Sequence, residues 1–145
     1  MKKRKLIVLM IMAIITVLCF TACSSTEAVT LEKYCQDNPD VQESIDEAIG
    51  ESNVNVEIKG NEIVYTLDLS TVDGYTEELV KSDDVVAAIE DALGAASETF
   101  GNIAKTIEET TEITGIQTTV NYCWGDEVIV TKTFTSADAA SNDDN

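Results

Sequence analysis

The chain has 145 residues, of which 27 are acidic, nine basic and none histidine, for a formal net charge of −18 and a pI near 4.1. Four of the nine basic residues stand at positions 2–5, so residues 23–145 carry five lysines and no arginine beside all 27 acids. Such a surface repels DNA, RNA and anionic headgroups, which proteins hold through Lys and Arg, and without histidine the Ser-His-Asp, Cys-His and histidine-metal arrangements are excluded as well.

The first residues read as an address. Lys2, Lys3, Arg4 and Lys5 precede an apolar run from Leu6 to Phe20, the layout of a secretory signal peptide. The run is shorter than the ~20 residues a membrane-spanning helix needs. Phe20-Thr21-Ala22-Cys23 follows, then Ser24-Ser25-Thr26. This resembles the lipobox of bacterial lipoproteins, with Phe20 where leucine is usual and a small residue before the cysteine that takes a diacylglyceryl group. The resemblance implies cleavage before Cys23, lipidation of Cys23 and a place on the extracytoplasmic face of the membrane. Two acyl chains anchor stably where one binds only marginally. The expected organisation is a signal peptide over 1–22, a lipidated tether over 23–29, a single domain over 30–134 and a disordered acidic tail over 135–145.

The domain opens with a short helix capped by Thr30. Asn38-Pro39 restarts a helix, with Val41, Ile45, Ala48 and Ile49 at helical spacing and Gly50 at its end. Strict alternation follows: Val54, Val56 and Ile58, then Gly60-Asn61, then Ile63, Tyr65, Leu67 and Leu69. A two-residue turn sets Ile58 opposite Ile63 and Val56 opposite Tyr65. A looser stretch over 70–81 contains the turn signal Asp73-Gly74.

Ser82 is then placed to cap a long helix whose apolar stripe is Val85, Ile89, Ala92, Leu93, Ala96, Phe100, Ile103 and Ile107. Glu108, Glu109 and Glu112 have the wrong sign for the end of a helix, so fraying is expected before Gly115. A second hairpin runs from Ile116 through Trp124, turns at Gly125-Asp126 and returns from Val128 to Phe134. Its expected pairing sets Tyr122 opposite Ile129 and Cys123 opposite Val128. The sum is an α+β fold in the order α-β-β-α-β-β, an antiparallel sheet of about four strands with the long helix packed on one face.

Four cysteines become two once Cys19 is cut away and Cys23 lipidated, leaving Cys35 and Cys123 as a possible disulfide in an oxidising compartment. Glycine-rich phosphate loops are absent, and Asp73-Gly74 fails as a calcium loop because Leu69 stands where the first aspartate belongs. Neither a catalytic residue, a metal site nor a cofactor is assigned. Glu108 and Glu112, one helical turn apart, could share a cation, but a solvated helix end is the simpler reading. Trp124 and Tyr34 are the aromatics placed to face a ligand, Trp124 because it borders a turn; core packing accounts for Tyr65, Tyr122 and Phe100.

Thr30-Leu31-Glu32-Lys33-Tyr34, Asn38-Pro39, Asn61-Glu62-Ile63-Val64-Tyr65, the long helix and Val120-Asn121-Tyr122 occur in this order. Together they resemble small lipoproteins of Gram-positive, clostridia-like bacteria, grouped in the domain-of-unknown-function family numbered 4854. That resemblance implies a localisation and brings no catalytic residues. The functional expectation is a non-enzymatic binding domain for an envelope protein, peptide or cationic ligand. The alternatives are a carboxylate-dependent hydrolase of envelope glycans and a surface cation binder.

Overall fold

The computed structural model describes residues 29–41, 43 and 54–139. The signal peptide, Cys23 with all but the last residue of its tether, and most of the helix expected after Pro39 lie outside these residues. Helix α1 (Leu31–Asp37) is capped by Thr30, whose hydroxyl accepts from the Lys33 amide. Strands β1 (Val54–Lys59) and β2 (Glu62–Asp68) form the first hairpin, turned at Gly60 with φ +60°. A 3-10 turn (Leu69–Thr71) follows, then helices α2 (Glu77–Val80), α3 (Asp83–Ala95) and α4 (Ser97–Thr111). Strands β3 (Gln117–Trp124) and β4 (Glu127–Thr135) and a last 3-10 turn (Ser136–Asp138) complete the described chain.

The single sheet has the order β1-β2-β3-β4. Both hairpins are antiparallel, and Ile58 meets Ile63 and Val56 meets Tyr65 as the alternation requires. The expected all-antiparallel sheet is corrected at its centre, where β2 and β3 are parallel. The reason is the connection. Between Asp68 and Gln117 the chain passes through three helices, and a helical crossover of that length returns it to the starting end of the sheet.

The long helix expected from Ser82 to Ile107 is two helices, divided at Ala96. Gly94 is a weak helix former, and the Ser97 hydroxyl donates to the Gly94 carbonyl at 2.8 Å, drawing that acceptor out of the ladder. The apolar stripe survives the break. Ile89, Leu93, Phe100, Ile103 and Ile107 are buried, with Val85, Ala92 and Ala96 half-buried against the same cluster. Ser82 adjoins the start of α3, but its hydroxyl donates back to the Leu79 carbonyl instead of capping.

The core lies on one face of the sheet. All strand residues of the buried cluster come from that face: Val54 of β1, Ile63, Tyr65 and Leu67 of β2, Val120 and Tyr122 of β3, Val130 and Phe134 of β4. Tyr65, Phe100 and Phe134 form an aromatic spine, with centroids 5.9 Å and 5.0 Å apart along it. Burying side chains of this size stabilises the fold by about 1.5–3 kcal/mol each before conformational entropy is counted.

A bulge corrects the pairing expected in the second hairpin. Cys123 does face Val128, but Tyr122 faces Val130, leaving Ile129 as the extra residue. The shift turns both Ile129 and Val130 toward the helices, so that Ile129 packs on the core instead of pairing.

Residues 135–139 are not the expected disordered tail. Thr135 ends β4, and Asp138 accepts from the Thr135 amide at 2.8 Å while the Thr135 hydroxyl closes a reciprocal cap. This turn sits on α4 at Gly101. A Cβ there would lie 2.3 Å from the Ala139 nitrogen and 2.4 Å from the Asp138 carbonyl carbon.

Candidate binding face

Strand alternation that sends one set of side chains into the core sends the other set to the opposite face. Reading across the register, that face has four rows. Lys59, Glu62, Gln117 and Thr135 form the first, and Glu57, Val64, Thr119 and Thr133 the second. The third is Asn55, Thr66, Asn121 and Thr131, and the last is Asp68, Cys123 and Val128. None of these side chains belongs to the buried cluster. Thr131, Thr133, Gln117, Asn55 and Val128 are exposed, Val64, Thr66 and Asn121 are half-buried, and Thr119 and Cys123 are buried.

Short hydrogen bonds run across the strands. The Thr119 hydroxyl reaches both the Glu62 carboxylate and the Thr133 hydroxyl, the latter at 2.8 Å, and the Thr131 hydroxyl donates to Asn121 Oδ1 at 2.6 Å. These bonds fix hydroxyl and amide groups in a plane. The charged groups stand around the edge and are engaged. Lys59 pairs with Glu57. Asp68 Oδ1 accepts from the amides of Ser70 and Gly125, each at 2.9 Å. Hydrogen bonds from Ser70 and then Gly125 hold the Asp68 carboxyl below its ordinary pKa.

Cys123 belongs to this face and Cys35 does not. Cys35 joins the core cluster on the helix side, whereas Cys123 pairs with Asp68 and Val128 on the opposite side. Both are free, buried thiols, so the possible bridge is not formed, and the sheet stands between them. Burial raises the pKa of each, and the Asp68 charge pushes Cys123 further the same way. Both are therefore held as poor nucleophiles.

The two aromatics placed to face a ligand do not meet. Tyr34 is 8% exposed on α1, too buried to present its ring. Trp124 is half-buried at the end of β3, packed against the core on the helix side. Glu108 and Glu112 take different roles at the end of α4. Glu108 Oε1 accepts from the Gly115 and Ile116 amides at 2.8 and 3.0 Å, which extends order past the helix end, and Glu112 adopts φ +60° as the residue that ends α4.

Among the described residues no group of three or more Cys, Asp or Glu side chains is placed to hold a metal ion, and no helix is long and apolar enough to cross a membrane. What the open face offers is directed hydrogen bonding. Residue-type motifs missed it because threonine has no motif. Its trace is the alternation Thr131-Lys132-Thr133-Phe134-Thr135 beside Thr119 and Asn121.

The sequence model that matches this chain is described as Domain of unknown function (DUF4854) and covers residues 31–134. No curated protein and no solved structure matches it.

Proposed function

Since the chain belongs to the DUF4854 family, whose description assigns no activity, we propose from its own residues that it is a non-enzymatic binding module for a component of the cell envelope. The observation that carries this reading is the open sheet face, where hydroxyl and amide side chains are fixed by cross-strand hydrogen bonds and no activated nucleophile stands among them. The carboxylate excess favours neutral or cationic ligands over anionic ones. The segment ending in Ala22-Cys23 supplies the placement: the domain hangs from the outer leaflet by the lipid on Cys23.

Two measurements test this. Incubation with purified cell-wall material should retain the protein and release no soluble fragments. Release that one Asp or Glu substitution abolishes would replace binding by the carboxylate hydrolase. Metabolic labelling with a fatty acid should mark the protein, and Cys23→Ala should lose the label and leave the membrane fraction. A Cys23→Ala protein that still sediments with membranes would sink the anchoring part alone.

A further inference from the structure

The centre of the open face is uncharged, in a protein where a quarter of all residues carry charge. Val64, Thr66, Thr119, Asn121, Thr131 and Thr133 fill the middle two rows across β2, β3 and β4. Charge appears only at the border, in Glu57, Lys59, Glu62 and Asp68. Binding surfaces are depleted of charge at their centre and polar at their rim, and this face has that layout.

Each possible class of occupant meets the same electrostatics. A polyanion is repelled by the net charge of −18. A second copy of this chain would bring the same charge with it and set the two acidic rims against each other. A cationic ligand finds no carboxylate at the centre. At the rim, Glu57 is paired with Lys59, Glu62 accepts from Thr119, and Asp68 accepts from two amides. A neutral ligand rich in hydroxyl groups escapes all three penalties. It also matches the chemistry offered: hydroxyls that donate and accept, and amides that do both. Adjacent strands are about 4.8 Å apart and successive same-face residues roughly 7 Å apart, so a flat ligand meets a regular grid of partners.

We infer that the centre of this face, around Thr66, Asn121, Thr131 and Thr133, with the buried Thr119 hydroxyl orienting that of Thr133, docks a neutral polyhydroxylated polymer, a glycan strand lying flat across β2, β3 and β4. The inference deepens the binding reading above and rests on it. Thr131 and Thr133 are the contact residues most open to solvent.

The test uses the full-length protein in mild detergent with insoluble cellulose and chitin as neutral polymers, chitosan as a cationic one and pectate as an anionic one. The expected result is retention on at least one neutral polymer, unchanged by salt, with none on pectate. The double variant Thr131→Val, Thr133→Val keeps side-chain shape and strand preference while removing two hydroxyls. It should melt like the parent and be retained about tenfold more weakly. No retention on either neutral polymer by folded protein overturns the inference, as does retention that the double variant leaves intact. Salt-sensitive retention on chitosan alone overturns it too, yet leaves the binding reading standing. Soluble fragments released from a retained polymer would instead sink the non-enzymatic reading and leave the platform in place.

Discussion

At the residue scale, one buried polar group among the described residues sits uneasily in the core: Thr118. Its side chain lies on the core face of β3, fully buried, and its hydroxyl has no hydrogen-bond partner. A buried, unpaired hydroxyl costs more than the apolar group that would replace it. Thr118→Val keeps the branched shape and should raise stability by about 1 kcal/mol, seen as a melting temperature a few degrees higher. An unchanged or lower value would mean that the hydroxyl is satisfied in solution.

Asp68 acts in the opposite direction. Its folded pKa is depressed from the ordinary 3.8 by the bonds from Ser70 and Gly125. A depressed carboxyl stabilises the fold above its unfolded pKa and loses that contribution as pH falls through the folded value. The gap in melting temperature between the parent and Asp68→Ala should therefore be constant at neutral pH and close below about pH 3.8. Because the group is largely solvated, the gap will be modest. A gap that persists at pH 2 would assign the effect to packing instead of charge.

Among elements, the last 3-10 turn depends on one missing side chain. Gly101 lets the backbone of Asp138 and Ala139 approach α4 more closely than any Cβ allows. Since the turn follows the last strand and meets α4 through this one close approach, Gly101→Ala should displace the turn and spare the helix. The expected cost is about 1–3 kcal/mol, with faster proteolysis after Phe134. Global unfolding without a locally nicked intermediate would show that the turn is an integral part of the core.

How far the elements could be read depends on how local their causes are. The first hairpin was legible in turn and register because alternation and a two-residue turn are short-range signals, although Leu69, which continues the alternation, already belongs to the 3-10 turn. The second was legible in outline but not in register, since the bulge at Ile129 arises where that side chain finds burial against the helices. The break at Ala96 had local hints in Gly94 and Ser97, outweighed by a continuous apolar stripe. The parallel centre had none, because alternation specifies which face a residue takes and not which strand lies beside it. The same limit hid the candidate face. Its threonines and asparagine are unremarkable one at a time and become a surface only when β3 is seated beside β2.

For the whole molecule, the sum of charges matters more than any pair. The exposed ion pairs of Lys33, Lys59 and Lys81 leave most carboxylates unneutralised. Self-repulsion at a net charge of −18 weakens the compact state, and salt screens it. Raising NaCl from about 20 mM to about 500 mM, which shortens the screening length several-fold, should raise the melting temperature of the intact protein. A flat or falling response would show that the surface acids are spaced widely enough not to interact. The edges carry their own protection. Lys132 projects from β4 on the helix side, its Nζ 5.6 Å from the Phe134 ring centroid, and the bulge bends the same strand. Both devices discourage another chain from adding to that edge.

The parallel seam between β2 and β3 sets the order in which the protein can be made. Each hairpin closes a two-residue turn, an event of microseconds, whereas the seam waits until roughly 50 residues and three helices have been drawn into one loop. Assembly should therefore be limited by joining two preformed halves, in the slower range typical of non-local sheets. A growing chain that has not yet reached Gln117 owns one hairpin, with Ile63, Tyr65 and Leu67 turned toward a core whose other strands do not yet exist. During that interval sticky surface is exposed, and the acidic residues already in the chain are what hold neighbouring copies apart.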